Sequence, residues 1–232
     1  EDVNIDDIRR YFRLDDDLGE MYFEIGRDTY IREAIQAHKG LRLVRQDPWE
    51  CLASYICSSF NNRAKIRRIV SRLCERFGEE IGCGVQRRSF PTAQTISRLS
   101  CSDLASCGLG FRARYLRESA EAVAHGWIRL HDLAEATYGE AKMELMRLPG
   151  VGEKVADCVC LFALDKLEAF PVDVWIHRIV ASRYGEYLKT PSNSPLTPQK
   201  YREISSFGRR YFGKYAGYAQ QYLYARYSKV LR

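Results

Sequence analysis

Leu148-Pro149-Gly150-Val151-Gly152 joins two stretches of helical periodicity in five residues, and no other part of the chain constrains the fold so strongly. Tyr138 to Leu148 and Glu153 to Asp165 carry apolar residues at three- and four-residue spacing on either side. Both glycines tolerate positive φ, so the backbone can reverse sharply here. The chain therefore turns back as a helical hairpin. The second helix begins directly after Gly152, so its unpaired N–H groups and the positive end of its dipole face outward. Such an end binds anions, and a phosphate suits it. A hairpin that only packs has the same bare outline. The lysine that follows the turn, Lys154, makes the pattern more specific.

The rest of the chain reads as further helices. Asp6 to Phe12 and Thr29 to Ala37 are periodic. Asp47-Pro48 reads as N-cap and first helical residue of a helix through Ile56. Ser58-Ser59-Phe60-Asn61-Asn62 breaks that helix, and Arg63 to Phe77, closed by Gly78, forms the next. Gly82 to Pro91 reads as a loop. Thr95 to Leu99 and Ser102 to Cys107 read as short helices, the second closed by Gly108, and Phe111 to His125 as a long one ending at Gly126. Val172 to Tyr184, Lys200 to Phe212 and Gly217 to Val230 complete the set, with Pro191 to Pro198 as a surface loop. No repeat, low-complexity tract or strand pair stands out. The expected class is all-α.

Bulk composition narrows the partners. The chain has 232 residues and a formal net charge of +6, a balance that suits a polyanion without requiring one. No run approaches the roughly 20 apolar residues of a membrane helix, and no charged-then-apolar leader opens the chain. The eight cysteines are Cys51, Cys57, Cys74, Cys83, Cys101, Cys107, Cys158 and Cys160. None has zinc-site spacing, and most fall in apolar helical patterns, where a thiol acts as a small hydrophobe. A reduced intracellular setting is expected, cytoplasm or nucleoid in a prokaryote and nucleus in a eukaryote.

Lys154 has two readings. It is a phosphate contact beside the anion site, or an amine nucleophile able to attack a sugar C1′ and form a Schiff base. Cys158 follows four residues later on the same helix face. Asp173, after Pro171, is placed to cap a helix. A carboxylate there can also stabilise an oxocarbenium-like transition state, and the two roles are compatible.

These residues resemble the helix-hairpin-helix DNA glycosylases, and among them the eukaryotic-type 8-oxoguanine DNA glycosylases. LPGVGEKVADCVCLFALDKLEAFPVDV carries the hairpin, lysine, cysteine and aspartate in the family's order. QDPWECLASYICSSFNN, LGFRARYL and YAGYAQQYLYA resemble three further blocks, so the similarity runs from about Ile8 to Ser228. The resemblance implies two helical lobes with the hairpin at their junction: a middle lobe over about 46–150, the hairpin over 141–165, and a second lobe formed by segments 1–45 and 166–232. It also implies a bifunctional enzyme that removes an oxidised purine from duplex DNA and then cleaves the strand through a lysine imine. The DNA partner is a duplex with a damaged base, and the enzyme is a monomer. Lys154 takes the nucleophile position and Asp173 that of the catalytic aspartate. Cys158 and Tyr224 take the positions that sandwich the flipped base, and Gln220 the one that bonds its edge. Gly150, Val151 and Gly152 take the phosphate-binding turn. No cofactor is implied, and no metal by the side chains; the hairpin carbonyls can hold a structural cation, as in relatives.

Several positions depart from the family's pattern. Phe60 stands where an asparagine usually fills the vacated space, though Asn61 and Asn62 follow and a shift of one residue restores an asparagine. Lys65 replaces an arginine that contacts the orphaned cytosine. Arg112 keeps a cytosine-reading position, and Phe111 replaces a wedging tyrosine. Trp175 replaces a DNA-contacting histidine, and His177 is not an obvious substitute. The chain also begins near the helix that follows the family's N-terminal β-rich domain. Lesion choice and opposite-base preference are therefore less constrained than reaction class. Two enzymatic alternatives fit less well. Endonuclease III-like relatives usually carry a four-cysteine cluster near the C-terminus, and glycosylases for alkylated bases usually lack the hairpin lysine. A non-catalytic DNA-gripping module would leave Lys154 a phosphate contact and Asp173 a cap.

Overall fold

The computed structural model describes residues 4–82, 87–191 and 193–230, so Cys83 lies outside the described residues. Fourteen α-helices occur among them: α1 (Ile5–Phe12), α2 (Leu18–Ile25), α3 (Thr29–Ala37), α4 (Pro48–Ser58), α5 (Arg63–Phe77), α6 (Ala93–Ser97), α7 (Cys101–Leu104), α8 (Arg112–Ala124), α9 (Asp132–Glu135), α10 (Tyr138–Leu145), α11 (Glu153–Ala163), α12 (Val174–Arg183), α13 (Pro198–Phe212) and α14 (Ala216–Val230). The only described β pairing is an isolated antiparallel bridge, Glu80 with Arg88, inside the segment read as a loop. The all-α class holds. No described helix is long and apolar enough to cross a membrane.

Short polar side chains set most of the helix starts. Asn4, Asp17, Asp28, Asp47, Asn62, Thr92, Ser100, Thr137, Asp173 and Thr197 each accept a bond from a backbone N–H of the first turn. Each such cap contributes about 1 kcal/mol. Thr137 and Ser100 complete reciprocal capping boxes with Glu140 and Asp103. Some boundaries differ from the sequence reading. α2 and α9 are additional helices, α10 stops at Leu145, and α12 starts at Val174 because Asp173 is its cap. Gly108, with left-handed backbone (φ 97, ψ 14), breaks the helical run as expected, although wide π-type bonding over Ala105–Leu109 continues across the kink towards α8.

The chain divides into two compact units, residues 46–159 and residues 1–45 with 160–232. α11 begins in the first and ends in the second. In the 46–159 unit, α4 packs on α5 and α8, and α6 on α8. Its core holds Leu52, Ile56, Ile69, Leu73, Ile96, Leu104 and Leu116, all fully buried.

In the other unit, α14 lies against α2, α3, α12 and α13. Phe170, Phe212, Tyr218 and Tyr222 are completely buried there. Gly208 is required: a Cβ on it would sit 2.4 Å from the Phe170 ring. Arg13 and Asp165 both adopt left-handed backbone (φ 51 and 56) and pair with each other. Arg45 adds a bidentate contact, its Nε donating to Asp165 Oδ1 and Oδ2 at 2.9 and 3.0 Å. Burial alone would raise the Asp165 pKa, but bonds from Arg45 and the charges of Arg13 and Arg45 outweigh it and hold the carboxyl below its usual value.

Candidate functional site

The hairpin is built from both sides. Gly150 has φ 77, and a Cβ there would meet the Tyr115 ring of α8 at 2.7 Å, so only glycine fits. Gly152 differs from expectation. Its φ is not positive, and a Cβ would meet nothing within 4 Å. The fold does not require glycine at 152; what glycine provides there is bare, exposed backbone at the start of α11. Val151 between them is buried, and its N–H donates to the Leu148 carbonyl at 3.2 Å.

Behind the turn, α10 and α11 are joined by a buried polar cluster. Asp157 is fully buried and accepts from the Tyr138 hydroxyl at 2.6 Å and from Lys142 Nζ at 3.0 Å. An ion pair this deep adds little net stability. It does punish separation, because losing one partner strands a buried charge. The pair fixes the register of the two helices and hence the direction of the α11 N-terminus. Sequence reading missed it. Its available signal was Tyr138 and Lys142 at i, i+4, with an aspartate on an otherwise apolar helix face.

Lys154 lies in the first turn of α11, half-buried, with Nζ 5.8 Å from the centre of the Tyr55 ring. Cys158, one turn on, is 4% exposed. Tyr55 on α4 was not singled out from sequence, because one aromatic in an apolar helix carries no positional signal.

The loop after α4 and the start of α8 form one edge of the 46–159 unit. Arg112 is buried, and its guanidinium donates from Nε to the Ser59 carbonyl at 2.6 Å and from Nη1 to the Leu109 carbonyl at 3.1 Å. It thereby ties the two loops together and packs 4.3 Å from the Phe111 ring centre. Burial pushes the neighbouring Cys57 thiol up to about 12, although the Arg112 charge opposes this. The edge ends in two aromatics open to solvent, Phe111 at 57% and Phe60 at 96% exposure. Phe60 also has φ 53, a conformation that costs a non-glycine residue about 1 kcal/mol or more. Asn61 donates from Nδ2 to the Cys57 carbonyl at 2.8 Å, while its Oδ1 is buried without a partner. Asn62 accepts from the Lys65 N–H as the α5 cap, and the Lys65 side chain is exposed.

The remaining candidates belong to the other unit. Asp173 caps α12, its Oδ1 accepting from the N–H groups of Trp175 and Ile176 at 3.0 and 2.8 Å, which leaves the second oxygen outside the cap. Trp175 lies 5.5 Å from Tyr227 of α14, ring centre to ring centre, and the Arg178 guanidinium lies over the Trp175 ring at 5.0 Å. Gln220 and Tyr224 precede Tyr227 on α14 at helical spacing. Gln220 is 5% exposed, and its Oε1 accepts from Gln221 Nε2 at 2.6 Å. Tyr224 is half-buried. Burial, with Lys200 and Arg178 nearby, lowers the His177 pKa. No group of three or more metal-binding side chains occurs among the described residues.

Residues 53–197 match the model of the HhH-GPD superfamily of base-excision DNA repair proteins. The chain belongs to this superfamily. Residues 2–52 match the model of the 8-oxoguanine DNA glycosylase N-terminal domain, and the described part of that segment is helical. The chain is 33% identical to the N-glycosylase/DNA lyase of Saccharomyces cerevisiae over 94% of its own length and 65% of the relative's. It is 33% identical to N-glycosylase/DNA lyase OGG1 of Arabidopsis thaliana over 89% of its length and 58% of the relative's. It thus spans about three-fifths of these curated relatives. The Clostridium acetobutylicum 8-oxoguanine glycosylase/lyase, solved with double-stranded DNA containing cytosine opposite 8-oxoguanine, superposes with a TM-score of 0.87. That match has 32% identity and covers 98% of this chain and 77% of the other.

Proposed function

We propose that this chain is a bifunctional DNA glycosylase and abasic-site lyase that excises 8-oxoguanine from duplex DNA. The observation that carries the reading is Lys154 in the first turn of α11, directly after a turn whose Gly152 leaves backbone bare at a helix N-terminus. The turn N–H groups and helix dipole grip a phosphate. Phe60 and Phe111, already outside the core, enter the stack as the damaged nucleotide swings out. Cys158 and Tyr224 hold the extruded purine, and Gln220 bonds its edge.

The Lys154 amine, as a free base, attacks C1′. The C1′–N9 bond breaks, its electron pair leaves with the purine, and the purine takes up a proton. The amine then loses a proton, the C1′–O4′ bond breaks as O4′ takes up a proton, and the imine so formed loses a proton from C2′ and expels the 3′ phosphate with the C3′–O electron pair. Asp173 opposes the positive charge that develops on the sugar. Its cap bonds use one oxygen and fix the carboxylate, so little reorganisation is needed.

Borohydride reduction of the imine on a duplex with 8-oxoguanine opposite cytosine tests the reading. A covalent adduct that disappears in Lys154→Gln is expected. No adduct on lesion or abasic duplex, with duplex binding intact, would favour a DNA-gripping module. Its Lys154 would be a phosphate contact.

A further inference from the structure

Helix α5 reads RAKIRRIVSRLCERF, and its charges are not spread evenly around it. Ile69 and Leu73 are buried on its inner face. Lys65, Arg68, Arg72 and Arg76 follow i, i+3, i+7 and i+11, which places all four along one side of the helix. All four are exposed. From Lys65 to Arg76 the stripe runs eleven residue steps, about 17 Å at 1.5 Å per step.

A solvated helix face normally interleaves signs, and α8 does so. Arg114 holds Glu118 at 2.6 Å, and Arg117 holds Glu121 at 2.8 Å. On α5 no carboxylate forms an ion pair with any of the four cations among the described residues, although Glu75 borders the stripe. Arg76 instead donates to the Ser106 hydroxyl, and a Cβ on Gly108 would lie 3.7 Å from Arg72 Nη1, so the stripe runs beside the π-helical turn. Like charges at i, i+4 cost an isolated helix a few tenths of a kcal/mol per pair. The N-terminal end of the stripe lies just past Phe60 and Asn62, on the edge that Arg112 ties to Phe111.

We infer that Lys65, Arg68, Arg72 and Arg76 form a phosphate track for duplex DNA, starting at Lys65 beside the damaged base pair and leading away from the Phe60–Phe111 edge along α5. This inference rests on the DNA-acting reading above and adds a footprint to it. At 3.4 Å of duplex axis per base pair, its length corresponds to about five base-pair steps. Its contacts are independent of sequence, so they contribute to affinity and to one-dimensional search rather than to lesion choice.

The test is the salt dependence of binding to a 25-base-pair duplex with one central 8-oxoguanine. It compares the wild type, the triple variant Arg68→Gln/Arg72→Gln/Arg76→Gln, and the charge-matched control Arg202→Gln/Arg209→Gln/Arg210→Gln on α13. Thermal melting confirms that each variant folds. The track predicts that the slope of log K against log salt becomes shallower by about 2–3 in the α5 variant, and by much less in the control. Shortening the duplex on one side of the lesion should weaken wild-type binding and leave the α5 variant nearly unaffected. An unchanged slope, an equal change in the control, or equal sensitivity of both proteins to shortening overturns the track. A slope lost in the α5 variant while the wild type shows no preference for the lesion would keep the track and overturn the glycosylase reading. Failure of the wild type to bind any duplex would overturn both.

Discussion

The aromatics of the two units follow opposite logics. In the unit built from both ends of the chain, Phe207, Tyr211 and Phe212 of α13 close on Tyr184 and Tyr187, with ring centres 4.8 to 6.5 Å apart. Even the hydroxyls are used: Tyr184 and Tyr211 donate to the same Asp28 oxygen at 3.0 and 3.1 Å, while the other Asp28 oxygen caps α3. In the 46–159 unit, Phe60 is 96% exposed in a left-handed backbone conformation. Folding gains nothing from that arrangement, since an exposed ring forgoes about 2 kcal/mol of burial and the backbone adds strain. The first cluster is accounted for by stability. Stability does not account for the second; under the proposed function, Phe60 would fill the gap left in a DNA stack by a flipped base.

Substitutions can break this contrast. Phe170→Ala should have the largest effect, about 3–5 kcal/mol of lost stability, because a fully buried ring is replaced by a cavity. Gly208→Ala drives a methyl into the same ring and should cost about 2–3 kcal/mol. Combining it with Phe170→Leu should recover part of that loss. Denaturant melts measure both, and an unshifted midpoint for Gly208→Ala would remove the close approach as a constraint.

Asp165→Asn probes the polar tie of the same unit. It leaves Arg13, whose side chain is 2% exposed, with only Asp16 at 3.8 Å as a counter-charge. The expected loss is about 2 kcal/mol at pH 7, below that of a fully buried pair because Asp165 is half exposed. The sign with pH follows from its depressed pKa. The stabilisation is complete above the unfolded aspartate value near 4 and disappears as pH falls through the lower folded value. Wild type and variant should therefore converge in acid, and a gap that persists at low pH would mean packing rather than charge.

Phe60→Ala should change stability least, within about 0.5 kcal/mol or slightly in its favour, while slowing base excision roughly tenfold. A destabilised variant with normal excision would invert the contrast between the two regions.

How much of this was legible depended on whether a signal was local. Helix starts were, because Asp47-Pro48 and Asn62 announce themselves within one turn and the caps are there. The sequence reading assigns no element between Phe12 and Thr29, yet Asp17 caps α2 there and Met21 and Ile25 bury its inner face. Gly150 was legible as a turn residue, but the reason only glycine fits, the Tyr115 ring, lies some 35 positions away. The expectation for Gly152 transferred that conformational argument to a residue that does not need it. At the candidate site, Phe60, Asn61 and Phe111 were identified by position in blocks resembling the family. Periodicity alone could not distinguish exposed Phe60 from buried Phe170, since each is a phenylalanine at the edge of a helical segment. The tying role of Arg112 depends on the Ser59 carbonyl, a contact that no residue spacing encodes.

The central claim is that Lys154 is a nucleophile and not merely a phosphate contact. The most direct measurement is borohydride trapping on the 8-oxoguanine:cytosine duplex, with mass spectrometry of the adduct to locate the modified residue. The account predicts one covalent DNA adduct, attached at Lys154, absent in Lys154→Gln while that variant still binds the duplex. An adduct mapped to another lysine, or strand cleavage retained in Lys154→Gln, would contradict it.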